Sequence, residues 1–361
     1  MPELGGGYKL MVILNTWHLV ETLIDEEMSV VSCGGAVRDW ASVTRQVQPA
    51  PDLPITPIIH EAVHTRRAVR IDVRSRKGAQ KTFHIEALPV LGPSGEAHGV
   101  QVWVGEPGQV PSPPRIVAGI AWELERMVIG QTVEASMMSG VLPEAHVPER
   151  TPAEYIAKAV KFDDSASLFE LGIDPVHGRK WEAPMSVLHA DGRVMRWYCW
   201  GKGRTDPGNV GIRLLWHDVS DTTAPELPTL SELGMQEMLR TAGVYTGVFA
   251  AELAVLTMWL PDAPPWVTWR NVSGGNDIVH PDDRSVLAEA LAAFRSGDAG
   301  PRSARARLRS ESGWRTAQLS ISPYPGPLSD RLVLVQVSVP AGEFGAPAVE
   351  LRGSDRGRLG G

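Results

Sequence analysis

The chain has 361 residues, a formal charge of −7 and 43% apolar residues. Its length exceeds one ordinary core and suits two or three domains. The acidic balance, with both signs interspersed, argues against a general nucleic-acid binder.

Two cysteines, Cys33 and Cys199, stand in no metal-type or redox spacing, so a reduced, cytoplasmic setting is expected. The start carries Glu3 and Gly5-Gly6-Gly7 in place of a basic leader. Its apolar stretch Leu10 to Leu14 is too short to span a membrane. From Trp17 to Trp40 the residues read as two short strands around the acidic turn Asp25-Glu26-Glu27. A proline-punctuated loop, Pro49 to Pro57, leads into a helical pattern of Ile58, Ile59, Ala62 and Val63. Strand runs follow: Val69, Ile71 and Val73 alternate with charges, Phe83 to Val90 comes after the Lys77-Gly78 turn, and Val100, Val102 and Val104 come after Gly92 to Gly95.

Pro107 to Pro114 marks a boundary. Ile116 to Met138 fits neither the helix nor the strand period. Thr151-Pro152-Ala153-Glu154 is a helix start, with Thr as N-cap, Pro in the first turn and Glu in the capping-box place. Strands Trp181 to His189, Val194 to Trp200 and Val210 to Val219 follow, with Asp191-Gly192 as a turn and Gly201 to Gly208 as a loop. Thr222 to Pro228 is a second linker, and Leu230 to Leu239 reads as a short amphipathic helix. In the last third, a strand pair around Gly247 to Trp259 precedes His280-Pro281-Asp282-Asp283, whose carboxylates suit the start of a helix carrying Val286, Leu287, Ala290, Leu291 and Phe294. Gly297 stops that helix. Ala304, Ala306 and Leu308 then alternate with arginines, Ala317, Leu319 and Ile321 alternate with polar residues, and Leu332 to Val339 is almost wholly apolar. From Ala341 onward the tail lacks periodicity and is expected to be disordered.

Three hairpin glycines, Gly78, Gly192 and Gly313, are spaced by a domain-sized interval. The expected units are therefore 1–110, 111–224 and 225–340, with a tail over 341–361. The His-Pro-Asp-Asp before the helix and the Gly313-Trp314 opening the next strand resemble the PAS sensory pattern. The central unit leaves the related GAF fold open. By organisation the chain resembles actinobacterial, mycobacterial-type triple sensor-domain proteins of tandem PAS or GAF modules without an output domain. That resemblance implies an α+β class, each antiparallel sheet packed by helices, and signal sensing or scaffolding as the function.

Several motifs admit chemistry. His60-Glu61-Ala62-Val63-His64 matches His-Glu-x-x-His, which on a helix sets two imidazoles one turn apart for zinc with Glu61 as base. The metzincin continuation fails, because Arg67 and Arg70 stand where Gly and His belong. Histidines in a structural role are the preferred reading, with a metal-dependent hydrolase as the alternative and His84 or Glu86 as its conceivable third ligand. Asp163-Asp164 and Asp282-Asp283 read as caps or turns before they read as acid/base pairs. Trp197 and Trp200, flanking Tyr198 and Cys199, read as packing. No flavin-adduct motif surrounds either cysteine, no phosphate loop occurs, and Gly201-Lys202-Gly203 lacks a dinucleotide context, so no cofactor is expected.

Arg305, Arg307 and Arg309 share a strand face, with Arg302 beside them and Trp314 beyond the turn. They form a candidate docking patch for an acidic or phosphorylated partner. The expectation is a non-enzymatic cytoplasmic sensor or scaffold that binds a small ligand, an unidentified protein partner or both. Self-association stays open; neither nucleic acid nor membrane is expected as a partner.

Overall fold

A computed structural model describes residues 13–77, 80–270, 278–298, 300–326 and 328–338. The expectations for the first residues of the chain, for the Gly78 turn, for Val339 and for the tail lie outside them.

The first sheet is built from β1 (His18–Glu21), β2 (Ser29–Cys33), β3 (Ala36–Ala41), β4 (Val69–Arg74), β5 (Thr82–Leu91) and β6 (Ala97–Gly105), in the order β3-β2-β1-β6-β5-β4. Two helices lie between β3 and β4: α1 (Val43–Val47) and α2 (Ile55–Thr65). Ile55, Ile58, Ile59 and Ala62 fall at i, i+3, i+4 and i+7, so α2 offers one apolar stripe to Val20, Ile85 and Val102. Burying each isoleucine stabilises the unit by roughly 2 kcal/mol.

The second sheet has seven strands: β7 (Val117–Glu123), β8 (Val128–Gln131), β9 (Glu149–Arg150), β10 (Ala159–Lys161), β11 (Lys180–Leu188), β12 (Val194–Asp206) and β13 (Asn209–Asp218). They run in the order β10-β11-β12-β13-β7-β8-β9, with short helices α3 (Val133–Met138), α4 (Pro152–Ile156) and α5 (Ser165–Ile173). The ambiguous stretch Ile116 to Met138 thus resolves into two strands and a helix. The third unit opens with α6 (Leu230–Thr241) and contains β14 (Tyr245–Ala250), β15 (Val255–Leu260), α7 (Ser285–Arg295), β16 (Arg302–Ser310), β17 (Gly313–Pro323) and β18 (Leu332–Ser338). Its sheet order is β15-β14-β18-β17-β16.

This corrects the expected fold class. The chain is mostly antiparallel sheet, with 41% strand against 21% helix, and sparse helices do not pack each sheet in the PAS or GAF manner. The physical reason is that neighbouring units supply much of the cover. Along β12, Met195, Trp197 and Cys199 point into the core of the second unit, while Trp200 points at Leu19, Leu23 and Val31 of the first. In β14, Val248 and Ala250 join the second unit's core while Phe249 faces its own. Helix α6, by contrast, buries no residue at all.

Charges are also buried between the first and second sheets. Lys202 Nζ donates to Glu21 Oε1 at 3.1 Å and to Glu27 Oε2 at 2.8 Å, and Lys202 and Glu21 are almost wholly inaccessible. Arg213 approaches Glu96 at 3.4 Å. His98 Nδ1 donates to the Leu214 carbonyl at 2.9 Å. Among the described residues, no helix is long and apolar enough to cross a membrane.

Candidate functional site: a cavity in the central unit

Helices α3 and α4 stand over one end of the second sheet. Thr132 caps α3 by accepting from the Ala135 N–H. Thr151 caps α4 in a full capping box: its Oγ1 accepts from the Glu154 N–H, and Glu154 Oε2 accepts from the Thr151 N–H at 3.0 Å. This local order fixes where Tyr155 and Lys158 lie. Between these helices and β11–β13 is a cavity of about 50 Å³.

Its wall is aromatic and apolar. Tyr155 meets Trp216 edge-on with ring centres 4.8 Å apart, and Trp216 meets Trp197 at 5.3 Å. Met185 and Val187 continue that wall. Both tryptophans are 4% exposed, and neither indole N–H has an acceptor among the described residues. Trp103, Trp122, Trp200 and Trp259 share that condition, so these inaccessible N–H groups do not mark the cavity.

The cavity also holds charge. Arg150 and Lys158 both line it. Lys158 Nζ donates to Ser139 Oγ at 2.9 Å, whereas the Arg150 guanidinium makes no ion pair among the described residues. Burial, and then the nearby Arg150 charge, lower the Lys158 pKa. Burial pushes the Tyr155 phenol well above its ordinary value. Glu154 is the carboxylate in the lining, tied back to its own helix start.

The residues singled out from the sequence lie elsewhere. His60 and His64 stack on α2 with ring centres 6.4 Å apart. His84 Nδ1 pairs with Asp72 at 2.6 Å and Glu86 with Arg70 at 3.1 Å, so both conceivable third ligands are engaged away from α2. Among the described residues no three His, Cys, Asp or Glu side chains are grouped to hold a metal ion. Asp163 pairs with Lys161 at 2.9 Å, and Asp164 occupies the N-cap of α5 without a side-chain cap bond.

On β16, Ala306 and Leu308 are buried and the arginines alternate with them. The row is not uniformly available. Asp283 accepts from the Arg307 backbone N–H and from its guanidinium at 2.8 Å, and Asp282 accepts at 3.1 Å. These two carboxylates therefore hold Arg307 instead of capping the helix; His280 accepts from the Asp282 N–H there. Arg309 lies over Trp314 at 4.9 Å, against which His280 also packs. Arg302, by strand alternation, shares the side of Ala304 and pairs with Asp298 at 2.7 Å. Arg305 makes one long contact, 3.4 Å to Gln318.

Comparison with known proteins gives partial likenesses. Residues 16–114 match the family described as Rv3651-like, N-terminal. A solved structure of an uncharacterized protein from Mycobacterium tuberculosis superposes with a TM-score of 0.74 at 22% identity, over 91% of this chain and 97% of that one. The likeness is to a mycobacterial-type family. At that identity the fold is what is shared. An RNA-binding light-oxygen-voltage receptor gives a TM-score of 0.25 at 10% identity, over 62% of this chain and 95% of that one. A sensory box histidine kinase/response regulator from Burkholderia thailandensis E264 gives 0.24 at 13%, over 36% of this chain and 88% of that one. Superpositions that poor carry no argument. No curated protein matches.

The central cavity was not singled out from the sequence. The Thr151-to-Glu154 helix start located α4, but the cavity wall it faces, Met185, Val187, Trp197 and Trp216, lies on β11, β12 and β13, dozens of residues later.

Proposed function

We propose that the chain is a non-enzymatic, ligand-binding sensor or scaffold whose ligand site is the cavity of the central unit. The observation that carries this reading is where the cavity sits. Its wall residue Trp216 belongs to β13, whose alternate residues Arg213, Leu215 and His217 face the first unit. The apolar cluster containing Trp216 also includes Val248 and Leu332 from the third. A group bound against Trp216 would press on a strand that both neighbours touch, which is what a relay to a protein partner needs. A cytoplasmic setting belongs to the same proposal and rests on two buried, free cysteines.

The alternative is a metal-dependent hydrolase using His60, Glu61 and His64. Two stacked imidazoles on α2 favour it less than the cavity favours a ligand site, because zinc hydrolases take three protein ligands.

Native mass spectrometry of the protein purified gently from its host separates the two. The proposal expects one non-covalent small molecule per chain, released on unfolding. Stoichiometric zinc with no small molecule, lost on His60→Gln with His64→Gln, would establish the hydrolase reading instead.

A further inference from the structure

We infer that the central cavity takes a small monocarboxylate, its carboxylate between Arg150 and Lys158 and its apolar remainder against Trp197, Trp216 and Met185. This rests on the reading that the cavity is a ligand site, and it adds the ligand's chemistry.

The lining is rich in donors. Arg150 carries five N–H groups on a guanidinium that makes no ion pair among the described residues, and Lys158 uses one of its three on Ser139. An ionised carboxylate, which only accepts, complements that set, and bonds to charged donors are the stronger kind. Charge selects further: two cations and the Glu154 carboxylate leave a net single positive charge, which suits a monoanion better than a dianion. An anion between Arg150 and Lys158 would also relieve the repulsion between them, which adds to burial in lowering the lysine. Volume selects again. At roughly 10–15 Å³ for each water-sized occupant, about 50 Å³ admits only a compact molecule and no nucleotide. The apolar half of the wall gives inorganic phosphate nothing to bury, whereas a short acid places its chain there.

The test is calorimetric titration of the full chain at neutral pH with propionate, butyrate, the neutral isostere propionamide and inorganic phosphate. The expected result is one site for the short acids, with propionamide and phosphate at least tenfold weaker. Arg150→Gln and Lys158→Met should each lose at least tenfold in acid binding, and Lys158→Arg should retain most of it. Because the acid-to-amide comparison uses the native chain, it stands even where a variant folds poorly. Equal binding of amide and acid, tighter binding of phosphate, or no binding of any short acid overturns the inference. A neutral or cationic molecule recovered from this cavity overturns it too, while leaving the ligand-site reading intact; only a chain that arrives without any small molecule counts against that reading.

Discussion

His217 lies 1% exposed between the first two sheets, and its Nε2 accepts from Arg115 Nε at 2.9 Å. Burial, with the Arg115 charge second, pushes its imidazole down to about 3 from an ordinary 6.5. The folded chain therefore keeps it neutral where the unfolded chain binds a proton. That contribution to stability is complete above pH 6.5 and is lost as pH falls from 6.5 through 3, for roughly 5 kcal/mol in full. Glu96, held down to about 2 by His98 and then by Arg213 against the cost of burial, adds a loss that begins only below its ordinary 4.5. Urea unfolding across pH should show stability falling already between pH 6.5 and 4.5, and His217→Gln should reduce that slope, leaving the part supplied by His18, which burial also lowers. A variant with the native slope there would place the proton uptake elsewhere.

The arginines of β16 are separable at the same scale. Asp283 is held down to about 2 mainly by the Arg307 guanidinium, so Arg307→Glu sets a carboxylate against two others. Among the described residues Arg305 has only Gln318. Thermal melts should show Arg307→Glu clearly lower than native and Arg305→Glu close to native. A partner that docks on this row should be lost with Arg305→Glu in a pull-down. Equal melting of the two variants would mean that the Asp282–Asp283 contacts do not hold the strand.

Among elements, β7 and β5 show how the sheets come together. A Cβ on Gly119 would lie 2.4 Å from the Leu91 carbonyl oxygen and 2.8 Å from the Gly92 Cα, both backbone atoms that cannot turn aside. Gly119→Ala should therefore force β7 away from β5 and lower stability by about 1–3 kcal/mol in urea unfolding. Unchanged stability would mean the two units are free to shift. Glycines also explain a misread boundary. Gly201 and Gly203 suggest a loop, yet β12 runs through them to Asp206, because a Cβ on Gly203 would meet the Val176 carbonyl oxygen at 2.3 Å. Their missing side chains serve close packing, a reason that sequence spacing does not display. The Thr151 capping box, being local, was legible at once.

For the whole molecule, the three groups of strands were readable from their alternation, but the way their sheets are covered was not. An apolar residue on β12 looks the same in sequence whether a helix or another unit covers it, and the expected helical layers are largely replaced by contacts between units. The cavity is lined by the central unit, on strands β12 and β13 whose residues Trp200 and Leu215 pack against the first unit. The two linkers differ accordingly. The Trp17 indole donates to the Ser112 carbonyl at 2.7 Å, and Gln101 bonds both backbone groups of Arg115, whereas Leu227 beside Pro228 is exposed. Limited proteolysis should cut near Pro228 well before Pro111, and first cleavage near Pro111 would contradict the held linker.

Hydrogen–deuterium exchange compares the chain as isolated from its host with the same chain refolded free of small molecules, and it addresses the ligand-site proposal most directly. The account predicts that the ligand-free chain loses protection in α3, α4 and β11, with a smaller loss in β13 where the neighbouring units touch it, and that adding the recovered molecule restores both. Identical exchange in the two samples, or a difference confined to α2 around His60 and His64, would contradict it.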